Sequence, residues 1–173
     1  MSDILFSIVT IVIFGVAGAT LKLADYVGET SSKTSSYIYA IVSGALLGGL
    51  TRSGADESSY VFGIVLGVAL GGKIDRLNLL VGLLAFGTVA AVLGISEPSL
   101  WLLATVAALS LFDELIHTYL SKRNDLIGLL SRYRAGLKSA TIVLAFASLV
   151  SLTAAVGFLF FDSSYDLVAR QFE

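Results

Sequence analysis

A chain of 173 residues has the length of one domain, yet 56% of its residues are hydrophobic, 14% are charged and its mean hydropathy is +0.89. A soluble domain carries about a quarter charged residues, so we expect much of this chain's surface to face lipid rather than water. The net charge of −2 argues against a nucleic-acid partner, and the lack of cysteine excludes disulfides, thiolate metal sites and cysteine nucleophiles.

The apolar segments predict an all-α integral membrane protein, a single bundle of about six transmembrane helices. A spanning helix needs about 20 mostly apolar residues, and four segments meet this requirement. Two shorter segments in the region 37–72 reach a full span only with flanking residues, and as one re-entrant pair they would leave four full spans. We prefer six, with the first segment retained rather than cleaved. The predicted spans are 4–24, 35–51, 60–76, 78–95, 98–120 and 138–161.

The basic residues predict which side of the cell membrane each loop faces. With six spans, one side receives Lys22, Lys33, Lys73, Arg76, Lys122, Arg123, Arg132, Arg134 and Lys138. The other side receives Arg52 and Arg170. Because cytoplasmic loops are enriched in Lys and Arg, we expect the first group in the cytoplasm. Both termini are then outside, together with Asp162, Asp166 and Glu173.

The loop 121–137 is predicted to be cytoplasmic and to lie at the membrane interface. Its apolar residues between 126 and 133 fall on one side of a helix, and Arg132 and Arg134 lie off that side. This pattern is typical of a short helix that lies against anionic headgroups. A basic loop that only obeys the orientation rule is an equally good interpretation.

Glycines repeat at helical spacing in the second and third predicted spans. Gly44 and Gly48 form one pair, and Gly63, Gly67 and Gly71 form a longer series. In lipid, small residues four apart let two helix backbones approach closely. These five residues are predicted to pack helices within the subunit, and the alternatives are a homo-oligomer seam or a pore lining.

Ionisable residues are missing from the middle of each predicted span and gather at one level. Proton-coupled carriers and voltage sensors usually need such groups at depth, so these mechanisms are disfavoured. The C-terminal ends of the first, third and fifth spans should meet at the cytoplasmic leaflet. Those ends carry Lys22, Asp25, Glu29, Lys73, Asp75, Arg76, Asp113, Glu114 and His117. A carboxylate at a helix C-terminus costs about 0.3–1 kcal/mol, so a neighbouring cation is expected.

The carboxylates in this group are candidate metal ligands. Asp113 and Glu114 precede His117 by four and three residues, which places each pair close together on a helix. His117 is the one histidine of the chain, so a paired di-metal site is unsupported and a single Mg²⁺ or Mn²⁺ site is the better prediction. The candidate ligands are Asp113, Glu114, His117, Asp75 and Asp25. The alternative is ion pairing of these acids with nearby Lys and Arg.

The basic residues at the same level are candidate ligands for a lipid phosphate headgroup. They are Lys22, Lys73, Arg76, Lys122 and Arg123. A metal ion with cationic side chains is what phosphoryl or nucleotidyl transfer needs, so the first hypothesis is a protein of membrane-lipid metabolism. A small oligomeric channel or carrier with a glycine-rich seam is the second hypothesis. A scaffold or accessory subunit is the third, and no catalytic residue is assigned.

Overall fold

The computed structural model describes residues 2–30, 33–120 and 135–172. Within these ranges the chain forms seven helices and no strand. The helices are α1 (Ser2–Thr30), α2 (Lys33–Leu50), α3 (Ala55–Leu70), α4 (Leu77–Leu93), α5 (Leu100–Leu120), α6 (Ala135–Phe146) and α7 (Leu152–Arg170). The all-helical class predicted from the composition is therefore confirmed, whereas the number of helices differs.

The difference lies in the sixth predicted span, 138–161, which is two helices. Helix α6 ends at Phe146, and α7 begins at Leu152 after a turn in which Ser148 has a φ of 56°. Ser151 caps α7, because its side chain accepts a hydrogen bond from the Ala154 N–H. The prediction of one continuous helix is wrong because the turn itself is largely apolar, so hydropathy does not distinguish it from a span.

The additional turn reverses the direction of the last helix. Helix α7 lies beside α1 and runs parallel to it. Near one end Thr153 donates a hydrogen bond of 3.1 Å to Ser7, and near the other the rings of Tyr26 and Phe172 stack at 3.9 Å between centroids. The two ends of the chain therefore lie at opposite ends of the bundle, and the prediction that both termini share one side is wrong.

This reversal also changes the distribution of charge along the bundle. Arg170, predicted on the side of Arg52, lies instead at the end where α1 finishes. Among the residues that the structure describes, that end holds Lys22, Lys33, Lys73, Arg76, Lys138 and Arg170. Arg52 is the one described Lys or Arg at the opposite end, where it donates to the Leu93 carbonyl. The asymmetry of basic residues is thus larger than the sequence predicted.

The glycines predicted to pack helices lie against other helices of the same chain. Gly44 touches the backbone carbonyl of Gly82, and a Cβ at Gly48 would lie 2.6 Å from the Phe86 carbonyl, so α2 and α4 approach closely. Gly63, Gly67 and Gly71 likewise face Val106, Ala107 and Glu114 of α5. Each of these five glycines therefore packs against another helix of the same subunit, which argues against a seam between copies at these positions.

The helices form two groups with a cavity between them. Helices α1, α2, α4 and α7 form one group, in which α1 contacts α2 and α7, and α2 contacts α4. Helix α3 packs along α5, and α6 contacts α5, so these three form the other group. The groups are joined at one end by Ser151, whose N–H donates to Asp56 and whose hydroxyl donates to Glu57.

The surface of the bundle differs from that of a water-soluble domain. Large apolar side chains are exposed on its helices, including Val92, Leu100 and Phe146 at 77%, 77% and 88% exposure. Polar and charged side chains such as Ser43 and Glu114 are buried. Helices α1, α5 and α7 are long and apolar enough to cross a membrane, and α2, α4 and α6 are shorter apolar helices. An extended exposed apolar surface of this kind marks a membrane or protein contact.

Replacing Gly44 by Ala should destabilise the bundle, because the added methyl group collides with the Gly82 carbonyl. We expect the free energy of unfolding to fall by about 1–3 kcal/mol, the usual cost of overpacking. Gly87→Ala in α4 is the matched control, since nothing lies within 4 Å of its Cβ position. It should be neutral or stabilising by about 0.5–1 kcal/mol. Denaturant titration in detergent measures both, and equal effects would contradict the proposed close contact.

Candidate functional site

The polar residues predicted at the ends of three helices line one cavity of about 410 Å³. The cavity opens at the end of the bundle where Lys73 and Asp75 are exposed. The predicted residues on its wall are Lys22, Asp25, Glu29, Lys73, Asp75, Arg76, Asp113, Glu114 and His117. We call this charged entrance the mouth of the cavity.

The deeper wall of the cavity is mostly apolar, with two serines among its residues. It includes Leu47, Ile64 and Phe86. Phe86 lies ten residues beyond Arg76 along α4, which corresponds to about 15 Å, or half the hydrocarbon core of a bilayer. Leu47 and Phe86 also belong to a buried cluster with Phe14. The cavity therefore extends from one end of the bundle to about its middle.

One group of ion pairs at the mouth joins α1 to the connection between α3 and α4. Lys22 and Asp25, three residues apart on α1, pair at 3.0 Å. Arg76 contacts Asp25 at 3.3 Å and Glu29 at 2.6 Å. The hydrogen bond to Glu29 raises the pKa of Arg76 above its usual value, so the guanidinium remains cationic. These contacts supply the cation that carboxylates at the end of α1 require.

A second ion pair joins the segment after α3 to α5. The Lys73 ammonium lies 2.9 Å from Glu114, whose side chain is 4% exposed, whereas that of Lys73 is 46% exposed. Gly71 leaves room for this glutamate, because a Cβ there would lie only 3.1 Å from its Cγ. Removing one partner of a buried pair leaves an uncompensated charge, so Lys73 has a structural role as well as a place at the mouth.

Asp113 interacts with the backbone of α6 rather than with a side-chain cation. Its two carboxylate oxygens accept hydrogen bonds from the N–H groups of Gly136 and Leu137 at 3.1 and 2.7 Å. These donors belong to the first described turn of α6, where the helix dipole favours a negative charge. Asp75, by contrast, is exposed and makes no hydrogen bond or salt bridge within the described ranges.

The described residues do not arrange the predicted metal ligands as a metal site. No three His, Cys, Asp or Glu side chains in the ranges 2–30, 33–120 and 135–172 are grouped so that they could hold an ion. Asp25 and Glu114 are paired with basic side chains, and Asp113 is held by backbone donors. The described residues therefore give the predicted Mg²⁺ or Mn²⁺ no ligand group. Lys122, Arg123 and residues 121–134 of the predicted interfacial loop lie outside the described ranges.

The sequence analysis placed Asp162 and Asp166 at the wrong end of the bundle. Lys138 of α6 pairs with Asp162 at 2.6 Å and with Asp166 at 2.7 Å, and Asp162 lines the cavity. The error follows from the missed turn at Ser148, since one continuous helix would carry both acids to the opposite side. The spacing of four residues between the acids, which places them on one helix face, was the available signal.

The geometry defines a cavity, and no relative identifies a ligand for it. A concave site with an apolar wall and a few converging polar groups is the usual form of a small-molecule site, and its volume lies within the common range of about 300–1,000 Å³. Comparison of the chain with protein-family models, curated proteins and solved structures gives no match. Functional argument therefore depends on the cavity and the residues around it.

Replacing Asp113 by Asn should loosen α6, because the amide can accept at one oxygen where the carboxylate accepts at two. We expect a loss of about 1–2 kcal/mol in the free energy of unfolding, and a larger loss for Asp113→Ala. Hydrogen exchange at Gly136 and Leu137 should accelerate in both variants. Unchanged exchange at these two amides would contradict the assigned contact.

Proposed function

We propose that the chain is a multi-pass protein of the cell membrane, with the long axis of its helix bundle across the bilayer. The exposed apolar side chains and the three long apolar helices support this proposal. The concentration of basic residues at one end favours a cytoplasmic position for that end. The cavity then opens to the cytoplasm, with the N-terminus outside and the C-terminus inside.

We further propose that the cavity binds a membrane lipid. The observation that carries this proposal is that one cavity has both an apolar interior and a charged mouth. Such a cavity matches an amphipathic molecule, whose chain is buried among apolar side chains while its headgroup remains near water. Its depth of about 15 Å corresponds to one leaflet of a bilayer, so the bound lipid belongs to the cytoplasmic leaflet.

The lipid phosphate is proposed to lie near Arg76 and the start of α4. Arg76 precedes the first residue of this helix and keeps 34% of its side chain exposed. No side chain caps the N-terminus of α4, so its first N–H groups are available to an anion. Lys73 and Lys22 line the same mouth. Lys122 and Arg123, outside the described residues, remain predicted headgroup ligands.

A channel is less well supported by the same geometry. The deeper wall of the cavity includes Leu47 and Phe86, which belong with Phe14 to a buried apolar cluster about halfway along the bundle. The predicted seam glycines are covered within the subunit. A scaffold, the third hypothesis, does not require a cavity of this composition. We therefore favour a lipid-binding protein. The proposal is limited to binding, which would be the first step of any role in lipid metabolism.

Labelling of single cysteines tests the orientation, and the native chain contributes no background because it has none. Glu97→Cys, between α4 and α5, should react with a membrane-impermeant maleimide in intact cells. Gln171→Cys, after α7, should react only after permeabilisation. Labelling of both positions from the same side would contradict a bundle whose two ends face opposite sides of the membrane.

Arg76→Gln tests the phosphate position. The variant should weaken binding of both phosphatidylglycerol and phosphatidylethanolamine about two- to fivefold, the range expected for one exposed charge interaction. Arg52→Gln, at the opposite end of the bundle, is the matched control and should leave lipid binding unchanged. Retention of each lipid by the purified protein, measured by native mass spectrometry, provides the comparison. Equal binding by wild type and Arg76→Gln would refute this position.

A further inference from the structure

Ser110 of α5 is a polar residue on the deeper, mostly apolar wall of the cavity. It is 8% exposed and lines the cavity together with Ile64 and Val68 of α3. A Cβ at Gly67 would lie 2.8 Å from its hydroxyl oxygen, so the serine lies where α3 and α5 pack closely. Four residues separate it from Glu114, which corresponds to about 6 Å along the helix. Ser110 is therefore deeper in the bundle than the charged mouth.

The hydroxyl of Ser110 makes no hydrogen bond with the residues that the structure describes. A serine or threonine within a helix can donate to the backbone carbonyl four residues earlier. Thr105 and Thr118 of the same helix do so, at 2.8 and 3.0 Å. Ser110 does not use the corresponding carbonyl of Val106. Because a buried donor without a partner is unfavourable, an unbonded hydroxyl on a cavity wall indicates a partner that enters with a ligand.

A second serine on the same wall is bonded within the protein. Ser43 of α2 also lines the cavity, but its hydroxyl donates to the Ala17 carbonyl at 2.9 Å. A serine hydroxyl has one proton to donate, and that of Ser43 is already used in the contact between α1 and α2. Of these two serines, Ser110 is the one that can donate to a ligand.

We infer that the Ser110 hydroxyl donates a hydrogen bond to an ester carbonyl of the bound lipid, so that the cavity prefers ester-linked to ether-linked phospholipids. This inference rests on the proposed lipid-binding function. In a phospholipid, the ester groups follow the phosphate by one glycerol unit and precede the acyl chains. A donor that contacts them must therefore lie just deeper than the headgroup, as Ser110 does.

The position of Ser110 leaves room for the acyl chains beyond it. Phe86, on the deeper wall, contacts Phe62 of α3. Gly67, which faces Ser110, is five residues nearer the mouth than Phe62, or about 7.5 Å along the helix. The lipid would thus meet the charged mouth, then one hydroxyl, then apolar side chains, in the order of its own headgroup, esters and chains.

An ester carbonyl also suits the surroundings of this hydroxyl. The residues of α3 on the same wall, Ile64, Val65 and Val68, are apolar. A charged group at this depth would lose its hydration without an opposite charge, which is costly. The ester carbonyl is a neutral acceptor, and an ether oxygen at the same place is a weaker one. The linkage of the lipid chains is therefore the chemical feature that Ser110 can distinguish.

The test compares two phospholipids that differ only in this linkage. Purified full-length protein in a neutral detergent is offered phosphatidylglycerol with ester-linked chains and its ether-linked analogue with chains of the same length, in equimolar competition. Bound lipid is quantified by native mass spectrometry. We expect the ester lipid to be preferred about two- to tenfold, the factor that one hydrogen bond supplies. Ser110→Ala should abolish this preference.

Ser43→Ala is the matched control. It removes a hydroxyl from the same wall whose proton is already donated within the protein, so the preference for the ester lipid should remain. Denaturant unfolding of the lipid-free variants is a second readout. The unfolding midpoint should fall for Ser43→Ala, which loses a hydrogen bond, and should not fall for Ser110→Ala, which loses none. An equal fall in both variants would show that Ser110 already has a partner within the protein and would overturn the inference.

The outcomes of the lipid competition separate the inference from the proposed function. Retention of both lipids without preference, or preference for the ether lipid, would overturn the inference while leaving a lipid-binding cavity. A preference for the ester lipid that is identical in wild type and Ser110→Ala would overturn the assignment of the contact to Ser110. Retention of neither lipid would refute the proposed function itself.

Discussion

A charged side chain that faces the interior of a helix bundle needs an opposite charge or a hydrogen-bond donor, and this constraint organises the whole charged end of the molecule. A buried carboxylate that loses its partner is left as an uncompensated charge, so each acid favours one position of its partner. Glu114 is met by Lys73, and Asp162 by Lys138, whereas Asp113 is met by the backbone of α6. Each contact joins a helix to a different part of the chain. The residues at the mouth of the cavity therefore also hold the helices together.

The cavity follows from a change in packing along the bundle. In its middle, glycines and apolar side chains bring helices close together, as where Gly48 faces Phe86 and where Phe14 is fully buried. Near the charged end, ionisable side chains of α1, α5 and the segment between α3 and α4 line the cavity. An apolar interior and a charged mouth are thus two consequences of one arrangement of residues along the helices.

The sequence predicts the helical class and the cluster of charged helix ends because both depend on local composition and spacing. It does not predict the turn at Ser148, since Ala147, Leu149 and Val150 around it are as apolar as a span. The wrong side assigned to Asp162 follows directly from that turn. The described residues do not group the predicted metal ligands, because spacing shows that acids are near each other, but not which cation or N–H group from another helix each will meet.

The parallel contact between the first and last helices has a consequence for biosynthesis. Ser7 and Thr153, which touch in the finished protein, are 146 residues apart in the chain. At common translation rates of about 5–20 residues per second, roughly 7–30 s pass between the synthesis of these two residues. During that interval the face of α1 that carries Gly15 and Gly18 has no α7 to cover it. This face of α1 therefore stays without its helix partner until α7 has been synthesised.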